Sequence, residues 1–472
     1  HLNTGSAESP IDFFGLLFNA TFLSSLVYSI NTHAMRLLLE DSYNHSRISS
    51  WRDVNVDEVR IFLALFFHMG HIKLPTINKY WSTDLLFDLP FKNFMSRDRY
   101  LVILRNFCFS DPNLTFNDND PNRFTKPIFN YFNSIMKTLV IPPKNLTIDE
   151  SVVLWRGRLK IRQYIQGKRH KYGVKLYVLT DTNGITQKVH MYCGSNDPIL
   201  RGKGHADKVV MLLMDDYLGL GHSLYMDNFY NSVSLAEKLL VEKTYVTGTL
   251  RGNRSRNPAI TQLKLKSGEI KSNYNPRGVC VTNYRDKRTV LMISTEHSPD
   301  FIEYRNSRGQ LASKPSIIVN YNKNMKGVDR KDQYLAYYPS YNKSTRWYKK
   351  ILVHIMQVMF LNSYLMYKEK RQNDNTNSIM SFINFRVDIV RNLLNVSNAV
   401  RAPPGRTIKL ETGDFVHLPE ELPKNGNGIT KRKDCRYCFE FRKVRKASLF
   451  HCPTCPKKPG LCLKCFRPYH NY

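Results

Sequence analysis

The sequence predicts an α/β protein, with a sheet-bearing core set between a mostly helical N-terminal part and a small cysteine-rich end. Three observations predict it. Apolar residues recur at helical spacing through the first 144 positions, strand and helix patterns alternate over 146–250 with aspartates at strand ends, and six of the nine cysteines fall after residue 434.

Composition bounds the partners. The 472 residues leave room for about two to four domains. Lysine and arginine number 70 against 39 aspartates and glutamates, a formal charge of +31 with pI near 9.7. Solubility of a small domain needs a net charge of only about 2–8. The excess predicts a polyanionic partner, most simply nucleic acid, where each neutralised phosphate releases counterions. No apolar run approaches the roughly 18–20 residues of a membrane helix, and the longest, Ile61 to Phe67, is followed by His68. No secretory signal is visible from His1 onward, so the Asn-x-Ser/Thr triplets at Asn113 and Asn145 carry no weight as glycosylation sites.

Along the chain, 12–29, 56–71, 98–108 and the aromatic-rich 121–139 read as helices, separated by an Asn/Asp-rich break at 111–122. No catalytic motif occurs there, and a scaffold or dimerisation role is expected. Leu146 to Asp149 reads as a short strand ending in an acid. Strands at 172–180 and 185–193 flank the turn Asp181-Thr-Asn-Gly184, and 205–217 reads as a helix. Ser223 to Met226 is an apolar strand delivering Asp227 to a turn, where Ser234 and Glu237 have capping-box spacing for the next helix; Thr244 to Leu250 is the returning strand. The order strand, strand, strand, helix, strand, helix, strand matches a ribonuclease-H-like sheet. Its two central strands lie side by side, so Asp149 and Asp227 are expected to face each other. Paired carboxylates repel unless cations lie between them, and two divalent ions about 3.5–4 Å apart clamp the attacking and leaving oxygens of a phosphoryl displacement. Asp329 and Asp332, three apart at the start of a helical run, are candidates for a further acid; as first-turn acids they would also complement the helix dipole, just as Asp227 alone would serve to cap a turn.

Three blocks carry a resemblance: Asp149-Glu-x5-Arg156-Gly-Arg158, Tyr225-Met-Asp-Asn-Phe-Tyr-Asn-Ser232 and Asn322-Lys-x-Met-Lys-Gly-Val-Asp-x-x-Asp-Gln333. In order and spacing they resemble the catalytic blocks of the piggyBac transposase family, and the likeness runs through most of 50–470. The resemblance implies a cut-and-paste DNA transposase with a ribonuclease-H-like core, in which Asp149, Asp227 and Asp329 bind a pair of magnesium or manganese ions and Asp332 is the fourth acid. It also implies a domain map. Residues 1–144 begin a helical dimerisation and DNA-binding domain that resumes at 339–417; 145–251 and 316–338 form the catalytic core, interrupted by an insertion domain at 252–315; and 418–434 is a linker to a cysteine-rich domain at 435–472.

Expected DNA contacts follow from basic runs interleaved with aromatics. Arg156, Arg158, Arg162, Lys168, Arg169 and Lys171 follow the first acid, beside Trp155, Tyr164 and Tyr172. Trp347, flanked by Arg346, Lys349 and Lys350, opens the helix 347–367, whose apolar positions form an amphipathic stripe; the family has a tryptophan at the matching place near its target tetranucleotide. Arg442, Lys443, Arg445 and Lys446 supply phosphate contacts in the cysteine-rich end, which in piggyBac-like enzymes binds the transposon's terminal repeats.

The end itself reads Cys435-x2-Cys438-x13-Cys452-x2-Cys455-x6-Cys462-x2-Cys465-x4-His470. Such spacing is a zinc signature, and two tetrahedral sites need eight ligands. Seven are plain. A cross-brace pairs Cys435 and Cys438 with a later pair and gives His470 to Cys452 and Cys455, with His451 a candidate for the eighth place.

The resemblance implies a sequence of metal-dependent transfers: water cuts one strand, the freed 3′ hydroxyl closes a hairpin on the other, water reopens it, and the 3′ ends attack a TTAA target. A homodimer is expected because two transposon ends are handled together, and the nucleus because DNA is the partner. Two other classes remain: a domesticated, catalytically silent DNA- or chromatin-binding protein, and a nuclear interaction protein whose RING-like or PHD-like zinc module binds protein.

Overall fold

The computed structural model describes residues 2–39, 47–110, 122–166, 171–305, 308–340, 344, 346–374, 378–396, 417–426 and 428–470. The chain divides into two compact units, one within residues 1–397 and one within 398–472.

The N-terminal part is helical, as its apolar spacing requires. The stripe over 12–29 is split between α1 (Pro10–Leu17) and α2 (Ala20–Leu39), because the Asn19 side chain accepts the Phe22 N–H at 2.9 Å and starts a new helix. α3 (Val56–His68), α4 (Arg97–Asn106) and α5 (Lys126–Leu139) follow, the first two capped by Asn55 and Ser96. The expected break at 111–122 lies, except for residue 122, outside the described residues.

The sheet begins with β1 (Asn145–Leu154), β2 (Gln163–Tyr164), β3 (Tyr172–Asp181) and β4 (Thr186–Met191), then continues through α6 (His205–Met214), β5 (Ser223–Met226), α7 (Val233–Val241) and β6 (Tyr245–Thr249). Its path is β2-β3-β1-β5-β6, with β4 on β3; β1, β5 and β6 run parallel, and the pairs within β1 to β4 are antiparallel. The α7 cap differs from the expectation. Ser232, two positions before Ser234, accepts the Leu235 N–H, while Glu237 is engaged by Asn275 and Arg277.

Residues 252–315, expected as an insertion domain, extend the same sheet. β7 (Ile270–Tyr274), β8 (Cys280–Arg285) and β9 (Thr289–Ser294) continue from β6 in the order β6-β9-β8-β7, and a separate hairpin of β10 (Phe301–Arg305) and β11 (Leu311–Pro315) follows. Val281 and Ile293 join the core of the parallel strands, which is the burial that ties this segment to the sheet.

The sheet has a core on each face. On one, Ile148, Tyr177 and Met226 pack against α6 and α7 through Val210, Leu213 and Leu239. On the other, Val174, Leu176 and Val178 merge with the helical part and with α9 (Gly327–Tyr337), α10 (Trp347–Asn373) and α11 (Phe382–Leu393), while α8 (Ser316–Asn324) packs Ile317 and Ile318 against Tyr284 of β8 and Met292 of β9. α10 is buried all round from Ile351 to Tyr367 rather than along a stripe. A helix apolar on nearly every side belongs at the centre of a large core; of the polar residues α10 carries inward, Asn362 exchanges hydrogen bonds with the Thr186 backbone at 2.9 and 3.1 Å, whereas the buried Gln357 amide has no hydrogen-bond partner among the described residues. No single helix among the described residues is long and apolar enough to cross a membrane.

The second unit holds β12 (Glu420–Glu421), β13 (Lys433–Asp434), α12 (Arg436–Arg442), β14 (Ala447–Ser448), β15 (Phe450–His451) and α13 (Leu463–Tyr469). β12 pairs with β15 and β13 with β14. The stretch 418–434, expected as a linker, is thus folded into the unit.

Candidate active site and zinc centres

The parallel pairing of β1 with β5 ends at Ile148 opposite Met226. The next residues are Asp149 and Asp227, on strands about 4.8 Å apart. Asp227 ends its strand and accepts the Phe229 N–H at 2.9 Å, while the Asn231 side-chain amide holds the turn to Met226 and to Thr249 of β6, at 2.9 Å each. Asp149 is not at a strand end, contrary to the sequence reading. β1 continues to Leu154 because β3 pairs with it throughout, and only the parallel ladder stops at the acid.

α8 and α9 bring the remaining acids. Thr147 Oγ donates to the Asn324 carbonyl at 2.9 Å, fixing the α8 end on β1. Gly327 then starts α9 flush against β3: a Cβ there would lie 2.2 Å from the Asp181 carbonyl oxygen and 2.3 Å from Thr180 Oγ. Asp329 lies in the first turn of the helix. Asp332, one turn on, accepts Ser151 Oγ at 2.8 and 3.0 Å and the Lys331 ammonium at 2.9 Å. Ser151 is two residues beyond Asp149, hence on the same face of β1.

The three acids share a neighbour in Tyr321. The Tyr321 hydroxyl of α8 is pushed up to about 12, first by burial and then by the negative fields of Asp227, Asp149 and Asp329, against a hydrogen bond with Thr249. Asp332 has a different environment. Burial raises its carboxyl, but Lys331, itself 1% exposed, together with Ser151 and His354 outweighs burial and brings it below the usual range. Its negative charge is therefore paired with Lys331 within α9, while its hydrogen bond from Ser151 ties the helix to β1. Asp149, Asp227 and Asp329 offer carboxylate oxygens, the donor type magnesium and manganese take, but among the described residues the three are not drawn together within 4.8 Å as the two cysteine–histidine sets of the second unit are. Sequence reasoning passed over Tyr321, Ser151 and Lys331, whose places depend on long-range packing.

Of the expected DNA contacts, Arg156, Arg158, Arg162 and Lys171 are exposed, and Arg162 lies over the Tyr172 ring at 5.4 Å; Lys168 and Arg169 lie outside the described residues. Lys350 lies over the Trp155 ring at 5.5 Å, Trp347 is half-buried at the edge of the large core, and Arg346 reaches His33 and Tyr348. Lys349 is a correction. It is buried and donates to the Leu104 and Arg105 carbonyls at the carboxyl end of α4, and desolvation first, then Arg346, lowers it to about 8. Arg442, Lys443, Arg445 and Lys446 are all exposed.

The second unit brings two ligand sets together, each within 4.8 Å: Cys435, Cys438, Cys462 and Cys465 in one, and His417, Cys452, Cys455 and His470 in the other. Sulfur separations of 3.8, 3.9 and 3.4 Å in the first suit a tetrahedron with zinc–sulfur bonds of about 2.3 Å. In the second, His417 Nδ1 lies 3.3 and 3.4 Å from Cys452 and Cys455, and His470 Nε2 lies 3.2 Å from Cys455. His470 Nδ1 donates to the Phe466 carbonyl at 2.7 Å, which directs Nε2 at the site. These are cross-braced zinc-binding clusters. His451, the sequence candidate for the eighth ligand, instead bonds the Glu420 carbonyl, and His417 takes the place. The signal was a count one ligand short; nothing local pointed to His417.

Residues 9–364 match the family model described as Transposase IS4, and residues 417–471 match that of a DDE_Tnp_1-like zinc finger. The chain belongs to this transposase family, in its piggyBac branch. It is 24% identical to human PiggyBac transposable element-derived protein 3 over 434 residues, which are 88% of this chain and 70% of that protein. To human PiggyBac transposable element-derived protein 2 it is 22% identical over 382 residues, 76% of this chain and 62% of the relative. Its fold matches a cryo-EM structure of the piggyBac transposase synaptic complex with hairpin DNA with a TM-score of 0.72 at 22% identity, covering 97% of this chain and 96% of that one.

Proposed function

We propose that the protein is a metal-dependent DNA transposase that excises its element through hairpin ends and inserts it at TTAA targets. The observation that supports this best is that β1 and β5 run in parallel register up to Ile148 and Met226, the residues just before Asp149 and Asp227, and that both acids and Asp329 of α9 bear on Tyr321. Asp149, Asp227 and Asp329 would hold two magnesium or manganese ions, whose chemistry is to activate the attacking oxygen and to neutralise charge on the leaving one. The Ser151–Asp332 hydrogen bond holds α9 on β1, with Lys331 pairing Asp332 from the same helix, so that Asp329 keeps its distance from the strand acids. The exposed Arg156, Arg158, Arg162 and Lys171 lie beyond Asp149 along the chain and take phosphates as the duplex crosses the strand edge. Because each step is an in-line displacement at phosphorus, one site serves cleavage, hairpin closure, reopening and strand transfer.

The zinc unit, with Arg445 over its exposed Phe439 and Arg442 over Tyr437, binds the terminal repeats in this account. A homodimer handling both ends, acting in the nucleus, completes it.

The test is to incubate the full chain with duplex DNA carrying the terminal repeats of its own element, with magnesium or manganese. Hairpinned ends from the wild type and none from Asp149→Ala or Asp227→Ala are expected. Binding without cleavage across metals and end sequences would replace this reading with that of a catalytically silent DNA-binding protein.

A further inference from the structure

Across the sheet from α9, the turn that carries Asp227 presents an aromatic ring no catalytic role accounts for. Phe229 is half-buried, and its backbone N–H is committed to Asp227. The Lys175 ammonium lies 4.7 Å above its ring and 4.6 Å above that of Tyr177, and the Arg251 guanidinium lies 5.7 Å from Phe229. Arg251 Nε also donates to Asn228 Oδ1 at 3.1 Å, and Arg254 reaches the Phe229 and Asn228 carbonyls. The Arg254 Nε is buried with no acceptor among the described residues. Two cations thus lie over one ring, and a third holds the backbone of the turn that carries it and the candidate metal ligand Asp227.

We propose that Phe229 is the stacking platform for an unpaired nucleotide next to the scissile phosphate, with Lys175, Arg251 and Arg254 taking the phosphates on either side of it. The inference rests on the transposase reading and names the form of DNA that its site holds. A base inside a duplex has both faces covered, so a protein ring can stack only on one that has been extruded. An exposed cation over an aromatic ring gains about 0.5–1 kcal/mol, whereas a hydrogen bond to a charged group is worth about 1.5–3 kcal/mol. An arriving phosphate therefore draws the cations off the ring and uncovers its face for the base. Stacking is indifferent to base identity, so the platform serves whichever nucleotide the end presents.

The experiment compares, on the full chain in calcium, a forked duplex bearing 2-aminopurine on its unpaired arm with the same sequence fully paired. The wild type is expected to quench the fluorophore and to prefer the fork about tenfold. Phe229→Leu is expected to lose the quench and bring the fork-to-duplex ratio toward one, while Phe229→Trp retains both. Each variant is checked for an unaltered melting transition, and Lys175→Ala, which spares the turn, should also lower the fork preference. A Phe229→Leu protein that quenches and discriminates like the wild type overturns the inference. A wild type that cleaves its own element ends but shows neither quench nor preference removes this inference alone, whereas a wild type that binds neither DNA removes the transposase reading with it.

Discussion

Gly327→Ala tests how closely the α9 helix must sit on the sheet. The new Cβ would stand 2.2 Å from the Asp181 carbonyl oxygen and 2.3 Å from Thr180 Oγ, where ordinary contact begins at 3.4 Å. The first of these is backbone inside a paired strand and has nowhere to go, so the helix start must retreat by more than about 1 Å. Asp329 is two residues away and moves with it. A misplacement of about 1 Å in a reacting group costs on the order of 100-fold in rate. Stability changes less, because overpacking of about 1–3 kcal/mol is partly offset by the roughly 1 kcal/mol by which alanine exceeds glycine within a helix. The control is Gly15→Ala in α1, where a Cβ meets nothing within 4 Å and a small gain in stability is expected. Strand cleavage under single turnover, beside calorimetric melting of both variants, reads the two effects separately. Wild-type cleavage by Gly327→Ala would refute the claim that α9 positions Asp329 through this contact.

Other consequences follow from the same geometry. Removing the Asp332 carboxylate by Asp332→Ala leaves Lys331, 1% exposed, as an uncompensated charge; a loss of about 3 kcal/mol is expected by denaturant titration, largely recovered in Lys331→Met/Asp332→Ala. Because the folded pKa of Asp332 is depressed, this contribution is present above the unfolded value near 4 and fades as pH falls through the folded one, so the gap in stability between wild type and Asp332→Ala should be full above about pH 4 and close as pH falls further. Chelation should unfold the second unit by circular dichroism, and elemental analysis should find two zinc ions per chain in His451→Ala but fewer in His417→Ala. In DNA-binding titrations against salt, Arg156→Ala and Arg158→Ala should each lower the log–log slope by about 1, whereas Lys349→Ala should leave the slope alone and reduce stability.

Much of the site was legible in the sequence because its parts are local. The run from Ser223 to Thr249 carries its strand, turn and helix signals within itself, and Asp227 fell where they placed it. Asp149 was misplaced within its strand, since the acid pair Asp149-Glu150 interrupts the apolar pattern and only pairing with β3, twenty or more residues on, shows that the strand continues. Lys349 read as a DNA-contacting cation and Lys331 drew no reading, and both are buried by packing that no local pattern reports. The eighth zinc ligand depends on β12 meeting β15 across the second unit, so His417 was indistinguishable from any polar residue in a Pro- and Gly-containing stretch.

The central claim is that Asp149, Asp227 and Asp329 share divalent cations while Asp332 is held in an ion pair. Counting manganese ions bound to the protein–DNA complex by electron paramagnetic resonance, in the wild type and in the four single aspartate-to-asparagine variants, tests it most directly. Two ions in the wild type and in Asp332→Asn, with loss in each of the other three, is the predicted result. Equal binding by all five proteins, or loss in Asp332→Asn to the same extent as in the others, would contradict it.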